Sequence, residues 1–229
     1  MRIDRPAQLI GVLGTHTEVG KTYVTARWLA ALRAKGVRVA ARKPVQSFDA
    51  ADGATDAQEL ARATGEDETA VCSPHRAYPL ALAPPIAADL LRRPRIAMDD
   101  LIAEIRWPSP VDVGVIETVG GPRSPIAHDG DSIDLVKRLK VDRVLLVADA
   151  GLGTLNAVRL SLACAAGFEV VVYLNRYDEE VELHRLNRRW LAEKYGVNAI
   201  VTMAELLEAF PVRRTPQRPA NRDANLRRE

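Results

Sequence analysis

A chain of 229 residues with 47% apolar and 27% charged residues has the balance of an ordinary globular protein with a substantial core, which excludes a disordered or a membrane-embedded chain. The net charge of +2 is unevenly spread: beyond residue 210 six Arg stand against Asp223 and Glu229, a net +4, so the preceding 210 residues carry −2 and exclude a broad basic nucleic-acid surface. Two isolated cysteines, Cys72 and Cys164, imply a reducing compartment without a disulfide framework or a cysteine metal site, and Cys164 falls in what reads as a buried helix face. No apolar run reaches the roughly 18 residues of a membrane span, and no charged-then-apolar leader opens the chain, so the expected location is the cytoplasm.

Residues 9–13 (LIGVL) read as a buried strand and run into GTHTEVGKT at 14–22, followed by a helix-period segment over 24–32. Strand, glycine-bounded loop, Lys-Thr and helix is the layout of a phosphate-binding P-loop. Backbone N–H groups and the helix N-terminus hold a polyphosphate there; Lys21 reaches the terminal phosphates and the Thr22 hydroxyl is placed to ligate Mg²⁺. The spacing departs from the usual pattern: five residues separate Gly14 from Gly20 where four are usual, and Thr15 stands where Gly is common.

Gly36 closes the helix, and 37–43 reads as a second strand. Lys43 then lies at a carboxyl strand end, either a ligand-binding position or a solvated charge. Residues 48–55 are turn chemistry; Thr55 is a candidate N-cap for a helix over 56–63, whose first residue, Asp56, is a helix-dipole acid or a Mg²⁺ ligand. Five prolines punctuate 72–95, with a short helix expected over 86–91 and another over 98–105. Residues 111–117 read as a strand ending in Glu117 ahead of a Gly120-Gly121 loop, the position of a Walker-B-type metal-binding acid. A helix follows over 131–139, then a strand over 144–149 entering the Gly-rich turn AGLGTLN at 150–156. The remaining expectations are a helix to about 166, a strand over 169–174, a helix over 180–195, a short strand over 198–202 and a last turn or two over 205–210. The alternation implies an α/β fold with a doubly wound, mostly parallel sheet: one P-loop domain over 1–210, then an Arg/Pro-rich disordered tail over 211–229.

Several separated motifs agree with one family. GTHTEVGKT (14–22), KPVQS (43–47), TDA (55–57), E-x-x-GG-x-x-x-P (117–125), GLGTLNA (151–157) and Asn175 together resemble the dethiobiotin synthetases, over about three quarters of the chain. The long loop, with Thr-Glu-Val before Gly-Lys-Thr, is characteristic of that family, and its KPV motif supplies an active-site lysine, here Lys43. The resemblance implies an ATP-dependent cyclo-ligase that carboxylates 7,8-diaminopelargonic acid with CO₂ and closes a cyclic urea through a carbamic–phosphoric anhydride. It implies catalytic roles for Lys21 and Lys43, and nucleotide contacts from Thr17, Glu18, Val19, Gly20, Lys21 and Thr22, with Asn175 at the adenine edge. It further implies Mg²⁺ on Thr22, Asp56 and Glu117, diamine or carbamate contacts from Ser47 and Gly120, and a distal-carboxylate site at Gly153, Thr154, Leu155 and Asn156 supplied by the partner of a homodimer.

The chain departs from the family at His16, at Thr118-Val119, at Ala157, after Asn175 and over 202–210. The pair Thr118-Val119 is bulkier than usual beside the diamine pocket, which leaves open a paralogue with another substrate. A nucleotide-switch ATPase regulating a partner is a further alternative, though Thr15 and His16 stand where its second lysine belongs.

Overall fold

The computed structural model describes residues 5–51 and 53–212; most of the 211–229 tail lies outside that range. Strand β1 (Gln8–Gly14) is buried along its whole length, as an apolar run without alternation requires. Helix α1 (Lys21–Ala34) starts three residues before the expected 24, because a left-handed Gly20 at its N-cap turns the loop directly into the helix. β2 (Val39–Arg42) is shorter than expected: the Lys43 N–H leaves the ladder and donates to Val71 O at 2.8 Å. The two-residue strands β3 (Gln46–Ser47) and β4 (Ala77–Tyr78) pair in parallel, and neither is long enough to show a period in the sequence.

Helix α2 (Asp56–Thr64) carries the expected Thr55 cap, closed as a capping box with Gln58. One turn of α3 (Glu68–Val71) follows, capped by Asp67. α4 (Pro84–Leu90) opens on two prolines, which fit a first helical turn because their missing N–H groups would have no partner there. α5 (Met98–Glu104) and β5 (Val113–Glu117) come next, then a hairpin of β6 (Pro125–Ala127) and β7 (Gly130–Asp131). Asp131, expected inside a helix, instead caps α6 (Ser132–Arg138). β8 (Arg143–Asp149), α7 (Thr154–Cys164), β9 (Val170–Asn175), α8 (Glu182–Tyr195) and α9 (Met203–Ala209) complete the chain. The strand expected over 198–202 is a single parallel bridge between Ile200 and Tyr173, cut short because Thr202 already caps α9.

The five long strands form one parallel sheet in the order β2-β5-β1-β8-β9. Alternate residues of β1 feed two cores: Ile10 and Val12 pack with Trp28 of α1, Leu60 of α2 and Leu206 of α9, while Leu9 and Leu13 pack with Leu101 of α5, Val136 of α6, Val158 of α7 and Leu191 of α8. Helices therefore cover both faces, as a doubly wound sheet demands. The chain leaves β1 toward one sheet edge and later returns beside it toward the other. The crevice at the carboxyl end of β1 is thus a topological switch point, where ligands bind in this architecture. Cys164 is half-buried rather than buried, because the outer side of α7 is open and Leu160 on it is 61% exposed.

Candidate active site

The loop over 14–22 wraps the end of β1 under constraints that its residue types explain. Gly20 has φ +87, and a Cβ there would stand 2.2 Å from Asn175 Nδ2, so only glycine fits. Asn175, buried at the end of β9, donates from Nδ2 to Val19 O at 2.9 Å. Val19 itself is a core residue, fully buried, and contributes to the loop through its backbone. Glu18 adopts a left-handed φ of +64. Lys21, the first residue of α1, is 7% exposed. Burial pushes its pKa down to about 8; the nearby Lys43 ammonium adds to the fall, and Glu117 and Asp56 oppose it.

Residues far apart in sequence meet just beyond the loop. The Thr22 hydroxyl lies 2.7 Å from Asp56 Oδ1 and 2.7 Å from Glu117 Oε1. Lys43 Nζ lies 2.7 Å from Asp56 Oδ2 and 2.9 Å from Glu117 Oε1, and donates to Thr118 O at 3.1 Å. Lys43 and Glu117 are 2% and 0% exposed at their side chains, whereas Asp56 is 41% exposed at the rim. Burial alone would lower the Lys43 pKa, but Asp56 and Glu117 outweigh it and hold the ammonium above the ordinary lysine range. Burial would likewise raise the Asp56 pKa; the Lys43 ammonium, with hydrogen bonds from Lys43 and Thr22, brings it down to about 2.

Two features fit this corner to a divalent cation. Thr22 has one proton to offer two carboxylate oxygens at equal distance, and Glu117 Oε2 is buried without a hydrogen-bond partner. Oxygen donors of this kind suit a hard ion. Among the described residues no group of three or more His, Cys, Asp or Glu converges as a metal site, so the side chains available here are two carboxylates and a hydroxyl.

A cavity of about 630 Å³ opens over this cluster. Thr17, Glu18, Gly20, Lys21, Thr22, Lys43, Ser47, Asp56 and Gly120, all expected at the site, line it. Gln46, Ser124 and Arg176 line it too and had no assigned role. Gln46 sits within the quoted KPVQS motif, but its side chain spends Oε1 on Ala57 N at 3.0 Å. Ser124 accepts from Gly121 N at 2.8 Å and holds the Gly-Gly turn, where Gly120 has φ +51. Of the bulky pair Thr118-Val119, only Val119 faces the cavity; Thr118 is fully buried and donates to Val12 O at 2.9 Å.

The turn over 153–156 does not reach this cavity. Thr154 is buried, with its hydroxyl donating to Asp149 O at 2.6 Å; Gly153 and Asn156 are exposed and Leu155 half-buried. Residues 203–209 form α9, two residues earlier than the helical turns expected from 205, and pack on α1 with Phe210 set 5.0 Å from the Trp28 ring. A separate groove of about 510 Å³ runs along α8 between Tyr177 and Ala192 and contains none of the expected site residues.

Comparison with known proteins agrees with this geometry. Residues 8–203 match the model of a family described as an AAA domain. The signal recognition particle receptor FtsY from Elizabethkingia anophelis superposes with a TM-score of 0.51 at 18% identity, covering 88% of this chain and 62% of that one; the likeness speaks to the fold alone. The ATP-dependent dethiobiotin synthetase BioD of Haloferax mediterranei is 40% identical over 207 residues, 87% of this chain and 85% of its own. That of Rhodococcus erythropolis is 37% identical over 192 residues, 81% and 83% of the two chains, and that of Caulobacter vibrioides 42% over 156, 66% and 70%. With identity of this order over more than four fifths of both chains, the chain belongs to the dethiobiotin synthetase family.

Proposed function

We propose that the chain is an ATP-dependent dethiobiotin synthetase, a cyclo-ligase of biotin biosynthesis acting on 7,8-diaminopelargonic acid, CO₂ and ATP. The observation that carries this reading is the convergence of Lys21, Thr22, Lys43, Asp56 and Glu117 beneath one cavity, within a chain 40% identical to a BioD. One amine of the diamine adds to CO₂ and loses a proton, giving a carbamate. A carbamate oxygen attacks the γ-phosphorus of ATP and ADP leaves. The second amine attacks the carbonyl of the resulting mixed anhydride, the ring closes, and phosphate and a proton are released.

Negative charge is redistributed over the γ-phosphoryl oxygens during the transfer, so catalysis rests on cations set in place beforehand. Lys21 at the start of α1 and Lys43 at the end of β2 supply two, both buried, where a charge interacts more strongly than in water. Thr22, Asp56 and Glu117 would hold Mg²⁺, which when bound would neutralise phosphate charge. The loop backbone over 17–20 and Asn175 would hold the nucleotide. Ser47 and the Gly120 backbone, on the cavity wall, would position the diamine or carbamate. The turn over 153–156, where Gly153 and Asn156 are exposed, Leu155 is half-buried and Thr154 is buried, with Leu152 93% exposed beside it, supports a homodimer in which Gly153, Thr154, Leu155 and Asn156 complete the partner's site at the substrate carboxylate. Residues 1–210 would act as a single domain in the cytoplasm; among the described residues no helix is long and apolar enough to cross a membrane.

The test is phosphate release by the purified protein with Mg-ATP and bicarbonate, with and without the diamine, the product checked by mass. Diamine-dependent phosphate and the cyclic-urea mass are expected. Nucleotide binding with no diamine-dependent turnover would sink the substrate assignment.

A further inference from the structure

Arg176 follows Asn175 at the carboxyl end of β9, at a left-handed φ of +56. Its side chain is 60% exposed and lines the cavity beside Thr17, Glu18 and Gly20. The two ends of its guanidinium do different things. Nη2 donates to Glu18 O at 2.9 Å, and Nη1 lies 3.3 Å from Asp149 Oδ2. Asn175 beside it holds the next carbonyl, Val19 O, also at 2.9 Å. Two neighbouring side chains thus grip two consecutive carbonyls of the phosphate loop.

A trans peptide points its C=O and the following N–H in opposite directions. Drawing the Glu18 carbonyl toward Arg176 therefore turns the Val19 N–H to the opposite side, away from Arg176, and the grip on Val19 O does the same for the Gly20 N–H. The Glu18 conformation that this needs is disfavoured for a residue with a Cβ, so an outside contact is required to hold it. The exposed Arg176–Asp149 ion pair contributes little by itself. Its place is informative, because the other Asp149 oxygen accepts from Gly151 N at 2.7 Å and the Asp149 carbonyl accepts from the Thr154 hydroxyl, both in the turn that opens α7.

We propose that Arg176 is a positioning residue of the nucleotide loop: it presets the Val19 N–H as a phosphate donor and, through Asp149, ties the loop to the turn that opens α7. The assignment rests on the nucleotide-binding part of the reading above, and it makes Arg176 the point where an occupied loop is reported to the segment at 151–156.

The experiment titrates a fluorescent ADP, with Mg²⁺, into the full-length wild type, Arg176→Ala, Arg176→Lys and Asp149→Asn, and follows hydrogen exchange over 150–160 with and without saturating ADP. Arg176→Ala is expected to weaken ADP about tenfold, or about 1.4 kcal/mol, with the thermal midpoint of the ADP-free protein unchanged. Arg176→Lys keeps a donor for the Glu18 carbonyl and should stay within about threefold of wild type. ADP should slow exchange over 150–160 in the wild type. Asp149→Asn, which retains an acceptor for Gly151 N, should bind ADP normally and lose that slowing. An Arg176→Ala affinity within about twofold of wild type, or a lysine variant as weak as the alanine one, overturns the loop role. Unchanged slowing in Asp149→Asn, or none in the wild type, overturns the link to α7. Neither readout involves the diamine. A wild type that binds ADP but makes no cyclic urea therefore counts against the synthetase reading alone, and one that binds no ADP sinks both.

Discussion

Lys43 shows how much one residue's role depends on what surrounds it. Its ammonium sits between Asp56 and Glu117, with two carboxylates and one backbone carbonyl within 3.1 Å. Removing it does two things. It deletes a cation from the phosphoryl-transfer site, and it strands Glu117, which is 0% exposed and already has one unpartnered oxygen. Lys43→Ala should therefore lower turnover about 100-fold or more while ADP affinity changes only a few-fold. It should also cost about 3 kcal/mol of stability in the absence of metal. Saturating Mg²⁺ should raise the thermal midpoint of this variant more than that of the wild type, because a divalent cation meets the charge left on Glu117 and Asp56. Equal loss of turnover and nucleotide affinity would show Lys43 to be a binding residue only. An equal Mg²⁺ response in both proteins would remove the cation site from this corner.

At the scale of elements, the proline-punctuated stretch between α3 and α5 is held in part by an ion pair that sequence patterning does not reveal. Glu104, the last residue of α5, accepts from Arg76 Nε at 2.9 Å and Nη2 at 2.6 Å, with His75 Nε2 at 3.2 Å. The Arg76 hydrogen bonds hold the Glu104 carboxyl below its ordinary value, with His75 contributing and partial burial opposing. A carboxylate whose folded pKa is depressed adds stability above its unfolded value of 4.5, and that stability is lost as the pH falls through the folded value. Glu104→Gln should therefore cost about 1 kcal/mol at neutral pH and flatten the acid side of the stability curve. Urea midpoints measured on both sides of the transition check this; parallel curves for variant and wild type would show the contact to contribute nothing.

The whole molecule carries a face that one chain leaves uncovered. Leu152 is 93% exposed, Leu160 61% and Trp190 47%, on the turn before α7, on α7 and on α8. Exposed apolar groups on adjoining elements are what the proposed homodimer would cover, and the turn over 153–156 lies on the same stretch of chain. Under the homodimer proposed above, light scattering after gel filtration should give twice the chain mass. Leu160→Asp should shift the protein to monomer and weaken diamine binding while leaving ADP affinity unchanged. A wild type that stays monomeric at assay concentrations would contradict the shared site.

What the sequence determined by itself was what local physics enforces. Short apolar runs rich in β-branched residues at 9–13, 113–116 and 144–148 read as strands buried on both faces, and their alternation with helices already implies a doubly wound parallel sheet. The Gly-Lys-Thr loop and the Thr55 cap were legible because they are short-range motifs whose atoms meet within a few residues. Thr22, Asp56 and Glu117 were each legible as candidate Mg²⁺ ligands from their local motifs, but the active-site role of Lys43 and the set as a whole came by resemblance, since these residues lie up to 95 positions apart and no local period relates them. The tertiary structure alone decided the rest: that Thr118 turns inward to Val12 while Val119 lines the cavity, that 198–202 is one bridge, and that Arg176 reaches Glu18 across 158 residues. Each depends on which elements pack side by side, and that is set by the whole core rather than by the segment that carries the residue.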